Sequence, residues 1–252
     1  MTRGLPLVLL HGWASHPQVY RSLVRELEKH FRVPVLPLPG YNQSEACTPY
    51  TLERIADTLA AAAPRRCGVI GWSLGAQVAL TWAQRAPLQV ERLALIAATP
   101  CFTQKTDWPH AVTPMVMRQF TSQLKRDCLS VLRRFVALQA LGDTQAVRVA
   151  HRLRTALFTN VLPPYAVLEG GLEILRTADL RALLPAIAQP VLVMHGEQDA
   201  VTPCAAGEAL SRALPNAQFQ LIEGAGHAPF LHDAAAVIAL LQTFFGDADV
   251  PV

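Results

Sequence analysis

The sequence predicts an α/β protein in which a mostly parallel, doubly wound sheet carries a helical insertion. Three observations lead to this fold class. Short, continuous apolar runs recur along the chain, and such runs are typical of strands that are buried on both faces. Segments with helical periodicity lie between these runs, and this alternation favours a parallel sheet flanked by helices. The alternation stops between residues 101 and 185, where only helices are indicated.

The elements follow in chain order from these patterns. Strands are predicted at LPLVLLH (5–11), FRVPVLPL (31–38), CGVIGW (67–72), RLALIAA (92–98), PVLVMHG (190–196) and AQFQLIE (217–223). Helices are predicted at YRSLVRELEKH (20–30), TLERIADTLAAAA (51–63), LGAQVALTWAQRA (74–86), CAAGEALSRAL (204–214) and AAAVIALLQTFF (234–245). No linker-like stretch divides the chain, so we expect one domain with its core in residues 1–100 and 186–252. Residues 101–185, called the lid below, are expected to cover the carboxyl ends of the strands, where open α/β sheets bind ligands.

The composition indicates a compact globule without nucleic-acid or membrane binding. Hydrophobic residues make 51% of the chain and charged residues 16%, against about 25% charged in an average domain. The net charge of +3 is too small to indicate nucleic-acid binding, and no apolar run reaches the roughly 18 residues of a membrane span. The first apolar run is too short for a signal peptide, and the five cysteines are scattered, so we expect a cytoplasmic protein with reduced thiols. We expect no metal, since no H-E-x-x-H spacing occurs. We also expect a monomer that needs no cofactor.

The pentapeptide GWSLG (71–75) places Ser73 between a predicted strand and a predicted helix. A sharp turn of this kind lifts a serine hydroxyl clear of a sheet, where it can act as a nucleophile. The pentapeptide alone is weak, because it arises by chance in about one 250-residue chain in ten. A tight turn that merely opens a helix is the alternative reading.

A serine nucleophile needs a base to accept its proton and an acid to orient that base. Asp199 lies just beyond one predicted strand, and His227 lies in a glycine-bracketed loop after the last one. Each has another reading, since Asp199 fits a helix cap and His227 fits an ordinary loop histidine. Three such residues at three strand ends favour a catalytic triad of Ser73, Asp199 and His227.

An oxyanion that develops on the substrate needs preorganised N–H donors. We expect one from Leu74, which follows the nucleophile, and one from Trp13, which follows the first strand. The Trp13 indole fits either a wall of the acyl pocket or the core. His11 precedes this loop, and we expect it to hydrogen-bond the backbone.

Several motifs resemble known families. LVLLHGW (7–13), GWSLGAQVAL (71–80), HGEQDAVTP (195–203) and GAGHAPF (224–230) resemble the α/β-hydrolase superfamily. Within the lid, CFTQKTDWP (101–109), RRFVALQALG (133–142) and GGLEILRTADLR (170–181) resemble the pimeloyl-acyl-carrier-protein methyl ester carboxylesterases of biotin synthesis. The lid motifs are the more specific, because many enzymes share the others.

The resemblance implies an α/β-hydrolase fold and a serine esterase that removes the methyl group from pimeloyl carried on acyl carrier protein. It assigns Ser73, Asp199 and His227 to the triad and Trp13 and Leu74 to the oxyanion site. It also implies an acyl channel lined by FVALQ, which is Phe135, Val136, Ala137, Leu138 and Gln139. Two departures stand out. The chain begins almost at the first strand, so we expect the family's preceding antiparallel strand to be short or missing. The sequence LPLPGYNQS (36–44) also replaces the usual D-L-P-G-x-G-x-S loop.

The lid concentrates the positive charge of the chain. It has eleven Lys and Arg against six Asp and Glu, a net +5, while the other residues sum to −2. Arg148 and Arg152 lie one helical turn apart with no acidic residue between 143 and 169, an arrangement that favours an acidic partner. We therefore expect acyl carrier protein to dock on Arg133, Arg134, Arg148 and Arg152, although a solvated basic face gives the same pattern.

Other functions remain open at the level of sequence. The same triad serves generalist carboxylesterases, thioesterases and carbon–carbon hydrolases that act on small soluble substrates. A non-catalytic binding protein of this fold is a further alternative, which the intact Ser73, Asp199 and His227 disfavour.

Overall fold

The computed structural model describes residues 4–246 and contains a five-stranded parallel sheet in the order β1-β2-β3-β4-β5. The strands are β1 (Leu7–Leu10), β2 (Cys67–Trp72), β3 (Val90–Ile96), β4 (Val191–Gly196) and β5 (Ala217–Ile222). The predicted α/β fold class with a parallel sheet is confirmed. No strand precedes β1 within the described residues.

Ten α-helices occur in the part of the chain that the structure describes. They are α1 (Arg21–Leu27), α2 (Leu52–Ala62), α3 (Leu74–Arg85), α4 (Pro114–Arg126), α5 (Cys128–Gln139), α6 (Ala146–Phe158), α7 (Tyr165–Thr177), α8 (Cys204–Ala213), α9 (Pro229–His232) and α10 (Ala234–Gly246). Helices α4 to α7 all lie within the lid, between β3 and β4. Within residues 4–246, none of the helices has the length and apolarity that a membrane span requires.

Two glycines of β2 show that helices cover both faces of the sheet. A Cβ on Gly68 would lie 2.4 Å from the ring of Phe245 in α10, and a Cβ on Gly71 would lie 2.5 Å from the carbonyl oxygen of Gly75 in α3. Residues three apart on a strand point to opposite faces. Helices α10 and α3 therefore pack on opposite sides of β2, as a doubly wound sheet requires.

The strand predicted at residues 31–38 is wrong. This segment runs beside β1 but forms only one isolated parallel bridge, between Val35 and Leu9. The N–H of Leu36 donates to Leu9, and the regular ladder would next need an N–H at position 34, which is proline. Because this segment lies beside β1 and the chain then returns as β2 on the other side, the direction of winding reverses at β1. Ligands bind at such switch points.

The prediction that all strands are buried on both faces is wrong for β5. Gln218 and Gln220 are exposed while Phe219 is half-buried, so one face of the strand meets solvent. The edge position explains this, since β5 pairs only with β4. The alternation of Gln with apolar residues in AQFQLI is the pattern of a half-covered strand.

Candidate active site

The turn between β2 and α3 holds Ser73 in an unusual backbone conformation. Its φ is 56° and its ψ is −118°, a region that non-glycine residues enter only when the surroundings enforce it. A Cβ on Gly75 would lie 2.4 Å from the carbonyl oxygen of Leu10, so β1 and α3 approach too closely for a side chain there. Between residues 67 and 83, only Ser73 is not buried. The turn thus presents the Ser73 hydroxyl at the carboxyl end of the sheet.

Ser73, His227 and Asp199 form one hydrogen-bonded line. The Ser73 Oγ lies 3.0 Å from His227 Nε2, and His227 Nδ1 lies 2.8 Å from Asp199 Oδ2. Asp199 Oδ1 accepts the backbone N–H groups of Val201 and Thr202 at 2.8 and 2.9 Å. These two donors fix the carboxylate, which in turn selects the tautomer with Nδ1–H donating to Asp199 and Nε2 free to accept from Ser73. This arrangement can move a proton from Ser73 to His227.

The Asp199 carboxyl is buried, and its charge is stabilised by two histidines. Burial alone would raise its pKa, but the charge of His227 and the hydrogen bonds from His195 and His227 outweigh burial and hold the pKa well below its usual range. Asp199 is therefore an anion at neutral pH and can stabilise an imidazolium. The sequence reading did not single out His195, whose Nε2 lies 3.2 Å from Asp199 Oδ2 and 2.8 Å from the Thr202 carbonyl oxygen.

The expected oxyanion donors lie beside Ser73. Leu74 opens α3, and the loop that contains Trp13 is so close that a Cβ on Gly12 would lie 3.1 Å from the Ser73 Cβ. Within residues 4–246, neither the Leu74 nor the Trp13 backbone N–H donates to a protein acceptor. Two unsatisfied donors next to a serine hydroxyl can stabilise a negative oxygen there.

Comparison with known proteins shows which family the chain belongs to. A family model described as the alpha/beta hydrolase fold matches residues 6–234. The chain belongs to the α/β-hydrolase family. The resemblance of the sequence motifs to this superfamily is thereby confirmed.

Similar proteins cover almost all of this α/β-hydrolase. It is 41% identical to a pimeloyl-[acyl-carrier protein] methyl ester esterase of Nitrosomonas europaea over 90% of each chain. It is 40% identical to a protein of the same name from Pectobacterium atrosepticum over 94% of each chain. An esterase structure from Exiguobacterium antarcticum superposes with a TM-score of 0.87 at 24% identity, covering 98% of this chain and 93% of that one. The structural likeness shows the fold alone.

The Trp13 indole of the hydrolase packs between its loop and the lid. The ring is buried, its Nε1–H donates to the Leu168 carbonyl oxygen at 2.8 Å, and it meets Phe135 edge-on at 5.0 Å. Phe120 of α4, which the sequence reading missed, completes the cluster at 5.7 Å from Trp13. Phe135 is thus a residue of the expected channel that contacts the Trp13 ring.

The other residues of the expected channel point to different places. Val136 and Ala137 line an open cleft of about 1450 Å³ between α5 and α6, which contains no residue of the expected triad. Leu138 is half-buried, and Gln139 is buried with its carbonyl oxygen accepting the His227 N–H at 3.0 Å. A channel lined by these residues remains a prediction. Among the described residues, no group of three or more His, Cys, Asp or Glu is placed to hold a metal ion.

The four arginines expected to dock a carrier have different surroundings. Arg133 and Arg148 line the cleft, together with His151 and Arg154 of α6, and Arg148 also lines a second groove with Arg152. Arg134 donates to the Gln123 side chain at 2.6 Å. Arg148 has partners that the sequence does not reveal, because its guanidinium donates to the carbonyl oxygens at the end of α9. Such bonds are non-local, so helical spacing does not reveal them. Docking of a carrier on these four arginines stays a prediction.

His11 joins the loop that contains Trp13 to the segment beside β1. It bonds the backbone, as expected from the sequence. Its Nδ1–H donates to the Gly12 carbonyl oxygen at 2.9 Å, and its Nε2 accepts the Leu38 N–H at 3.1 Å. Only the neutral ring can do both. Burial lowers the pKa of His11 to about 4.

This lowered pKa makes stability depend on pH. An unfolded His takes up a proton near pH 6.5, whereas folded His11 does so only near pH 4, so stability falls as the pH drops between these values. The loss is on the order of 3 kcal/mol. We expect His11→Gln to flatten the curve of unfolding free energy against pH in this window, measured by urea titration. The exposed His30→Gln is the control, and equal slopes in both variants would refute the assignment.

Proposed function

We propose that this α/β-hydrolase is a serine carboxylesterase that hydrolyses the methyl ester of pimeloyl-acyl carrier protein. The products are methanol and pimeloyl-acyl carrier protein, a step of biotin synthesis. The observation that carries the proposal is the hydrogen-bonded line of Ser73, His227 and Asp199 in a chain about 40% identical to esterases of that name.

The geometry supports a two-step reaction. Ser73 Oγ attacks the ester carbonyl carbon while His227 Nε2 takes the hydroxyl proton, and the carbonyl oxygen becomes an anion facing the N–H groups of Trp13 and Leu74. The tetrahedral intermediate expels methoxide, which leaves as methanol with the proton from His227. Water then attacks the acyl-enzyme, again giving a proton to His227, and Ser73 recovers that proton as the free carboxylic acid departs and ionises in solution. Asp199 stabilises the imidazolium in both steps.

The lid supports a carrier protein as the partner. The lid has a net charge of +5, and Arg133, Arg148 and Arg154 line the cleft between α5 and α6. An acidic carrier would be steered toward this cleft, because complementary charges accelerate encounter. Exposed Val147 adds an apolar contact at the same cleft.

The second candidate is a generalist esterase, thioesterase or carbon–carbon hydrolase of small molecules. The triad and oxyanion donors serve all of these reactions equally. The basic cleft favours the carrier-bound substrate, since a small soluble ester makes no use of it.

Charge reversal in the cleft separates these candidates. Arg133→Glu with Arg154→Glu changes two exposed residues of the cleft. We expect kcat/KM for carrier-bound methyl pimeloyl to fall about tenfold or more, because attraction becomes repulsion. Hydrolysis of a p-nitrophenyl ester should stay within about twofold, because it needs no docking. Higher salt should weaken the wild-type reaction in the same way, since the Debye length is already about 8 Å at physiological ionic strength.

The control reverses two exposed arginines elsewhere. Arg54→Glu with Arg65→Glu makes the same change in net charge on and after α2, outside the cleft. If both double variants lost kcat/KM for the carrier-bound ester equally, the loss would come from the change in net charge and not from the cleft. Wild-type protein that cleaves small esters but leaves the carrier-bound ester intact would contradict the proposed function.

A further inference from the structure

The loop that carries His227 is hydrogen-bonded to the lid. The bonds run from Gly226 N–H to Asp143 Oδ2 (2.8 Å), from His227 N–H to Gln139 O (3.0 Å) and from Thr144 N–H to Gly224 O (2.9 Å). On the lid side, Gln139 lies at the end of α5, and Asp143 and Thr144 lie in the connection to α6. The position of the imidazole therefore depends on a segment more than 80 residues away in sequence.

Asp143 is the side chain in this contact, and its carboxylate is held on both oxygens. Oδ1 lies 2.7 Å from His232 Nδ1 and accepts the Gln145 N–H at 2.7 Å, while Oδ2 accepts the Gly226 N–H. Asp143 is buried. A carboxylate with three donors at fixed places has little freedom to move, so it sets the orientation of the Gly226 peptide.

Glycine at position 226 makes such an anchor necessary. A residue without Cβ restricts its own φ and ψ little, so the peptides on either side of Gly226 are held by their hydrogen bonds. The Asp143 carboxylate holds the Ala225–Gly226 peptide by its N–H, and the Gln139 carbonyl oxygen holds the Gly226–His227 peptide by the His227 N–H. A Cβ at position 226 would lie 2.9 Å from the Gln139 carbonyl oxygen, so the loop and lid are in direct backbone contact. The lid therefore restrains the backbone on the N-terminal side of His227, while Trp72 Nε1–H of the core donates to the His227 carbonyl oxygen at 2.8 Å.

We infer that Asp143 is a positioning residue that holds the His227 loop against the lid and keeps the imidazole in line with Ser73 and Asp199. The inference rests on the proposed role of His227 as the base. Asp143 contacts neither Ser73 nor Asp199, so its effect on catalysis passes through the Gly226 peptide. Misplacement of a reacting group by about 1 Å costs about a hundredfold in rate.

A merely structural role for Asp143 is the competing explanation, since its bond to the Gln145 N–H also supports the start of α6. Asp127 offers a matched comparison. Its side chain accepts the Ser130 N–H at 3.0 Å at the start of α5, and it is exposed and makes no bond to the His227 loop. Asp127→Ala and Asp143→Ala both remove an acceptor from a helix start, but only the second frees Gly226.

The test measures kcat and KM for a small p-nitrophenyl ester, which does not depend on carrier docking. We expect Asp143→Ala to lower kcat about a hundredfold with KM within about threefold, and Asp127→Ala to stay within about twofold on both. Asp143→Asn keeps the shape but loses one acceptor in either amide orientation, so we expect about a tenfold loss in kcat. The rate of Ser73 labelling by a fluorophosphonate should fall in the same order.

Thermal unfolding of each variant separates stability from positioning. Folded Asp143→Ala with the kcat of Asp127→Ala would overturn the inference. If Asp143→Ala does not fold, Asp143→Asn decides, and wild-type kcat in that variant would overturn the inference equally. Ser73→Ala separates failure of the triad from failure of the positioning role. Activity in Ser73→Ala would refute the triad itself. An inactive Ser73→Ala beside a fully active Asp143→Asn would refute only the positioning role of Asp143.

Discussion

Ser73→Ala is expected to lower kcat for a small p-nitrophenyl ester by about 10³-fold or more. The methyl group cannot attack a carbonyl carbon, and the remaining oxyanion donors give only the small residual rate seen when a triad is broken. The backbone turn should survive, because it is held by the close contact of Gly75 with β1 rather than by the serine hydroxyl. Release of p-nitrophenolate measures the rate, and thermal unfolding measures the fold.

A matched serine provides the control for this result. Ser130 is exposed in α5, so Ser130→Ala removes the same atom without touching the turn. It should keep wild-type kcat. If Ser73→Ala retained more than a tenth of the wild-type rate in a preparation free of host esterase, Ser73 would not be the nucleophile.

Asp199→Asn is expected to lower kcat by about 10⁴-fold with little change in KM. The amide that replaces Oδ2 would donate to His227 Nδ1 and so favour the tautomer with the proton on Nε2. In the wild-type structure Nε2 lies 3.0 Å from the Ser73 Oγ. A protonated Nε2 cannot accept the Ser73 proton. The same amide would also face His195 Nε2, which lies 3.2 Å from Asp199 Oδ2, so the loss reports the tautomer of His227 together with the change in this contact.

The control is another aspartate near the same loop. Asp233 is exposed and accepts the Ala236 N–H at the start of α10, so Asp233→Asn changes charge without meeting His227. It should stay close to wild type. An Asp199→Asn variant within tenfold of wild type would mean that another acid orients the histidine.

The sequence predicts those parts of the fold that local physics determines. CGVIGW becomes β2 with the predicted bounds, because a short apolar run between turn residues has no other favourable state. The strand predicted at 31–38 fails for an equally local reason, since Pro34 removes the donor that would extend the bridge to β1. Phe120 could have been found, because it lies between the buried Met117 and Leu124 at helical spacing.

The parts that the sequence does not reveal depend on distant contacts. Asp143 meets Gly226 across 83 residues. His195 is an exception, because it lies only four residues before Asp199 and the turn after β4 brings the two side chains together. No local pattern distinguishes an Asp that caps a helix from one that anchors a remote loop. Arg148 likewise fits a free surface cation until α9 places carbonyl oxygens beside it.

The most direct test of the proposed function identifies the product made from methyl pimeloyl-acyl carrier protein. Mass spectrometry of the carrier after incubation distinguishes cleavage of the methyl ester from cleavage of the thioester. We expect the acylated carrier to lose one CH₂ in mass, with methanol released in equal amount and no reaction in Ser73→Ala. A carrier stripped of its whole acyl group would instead reveal a thioesterase and contradict the proposed reaction.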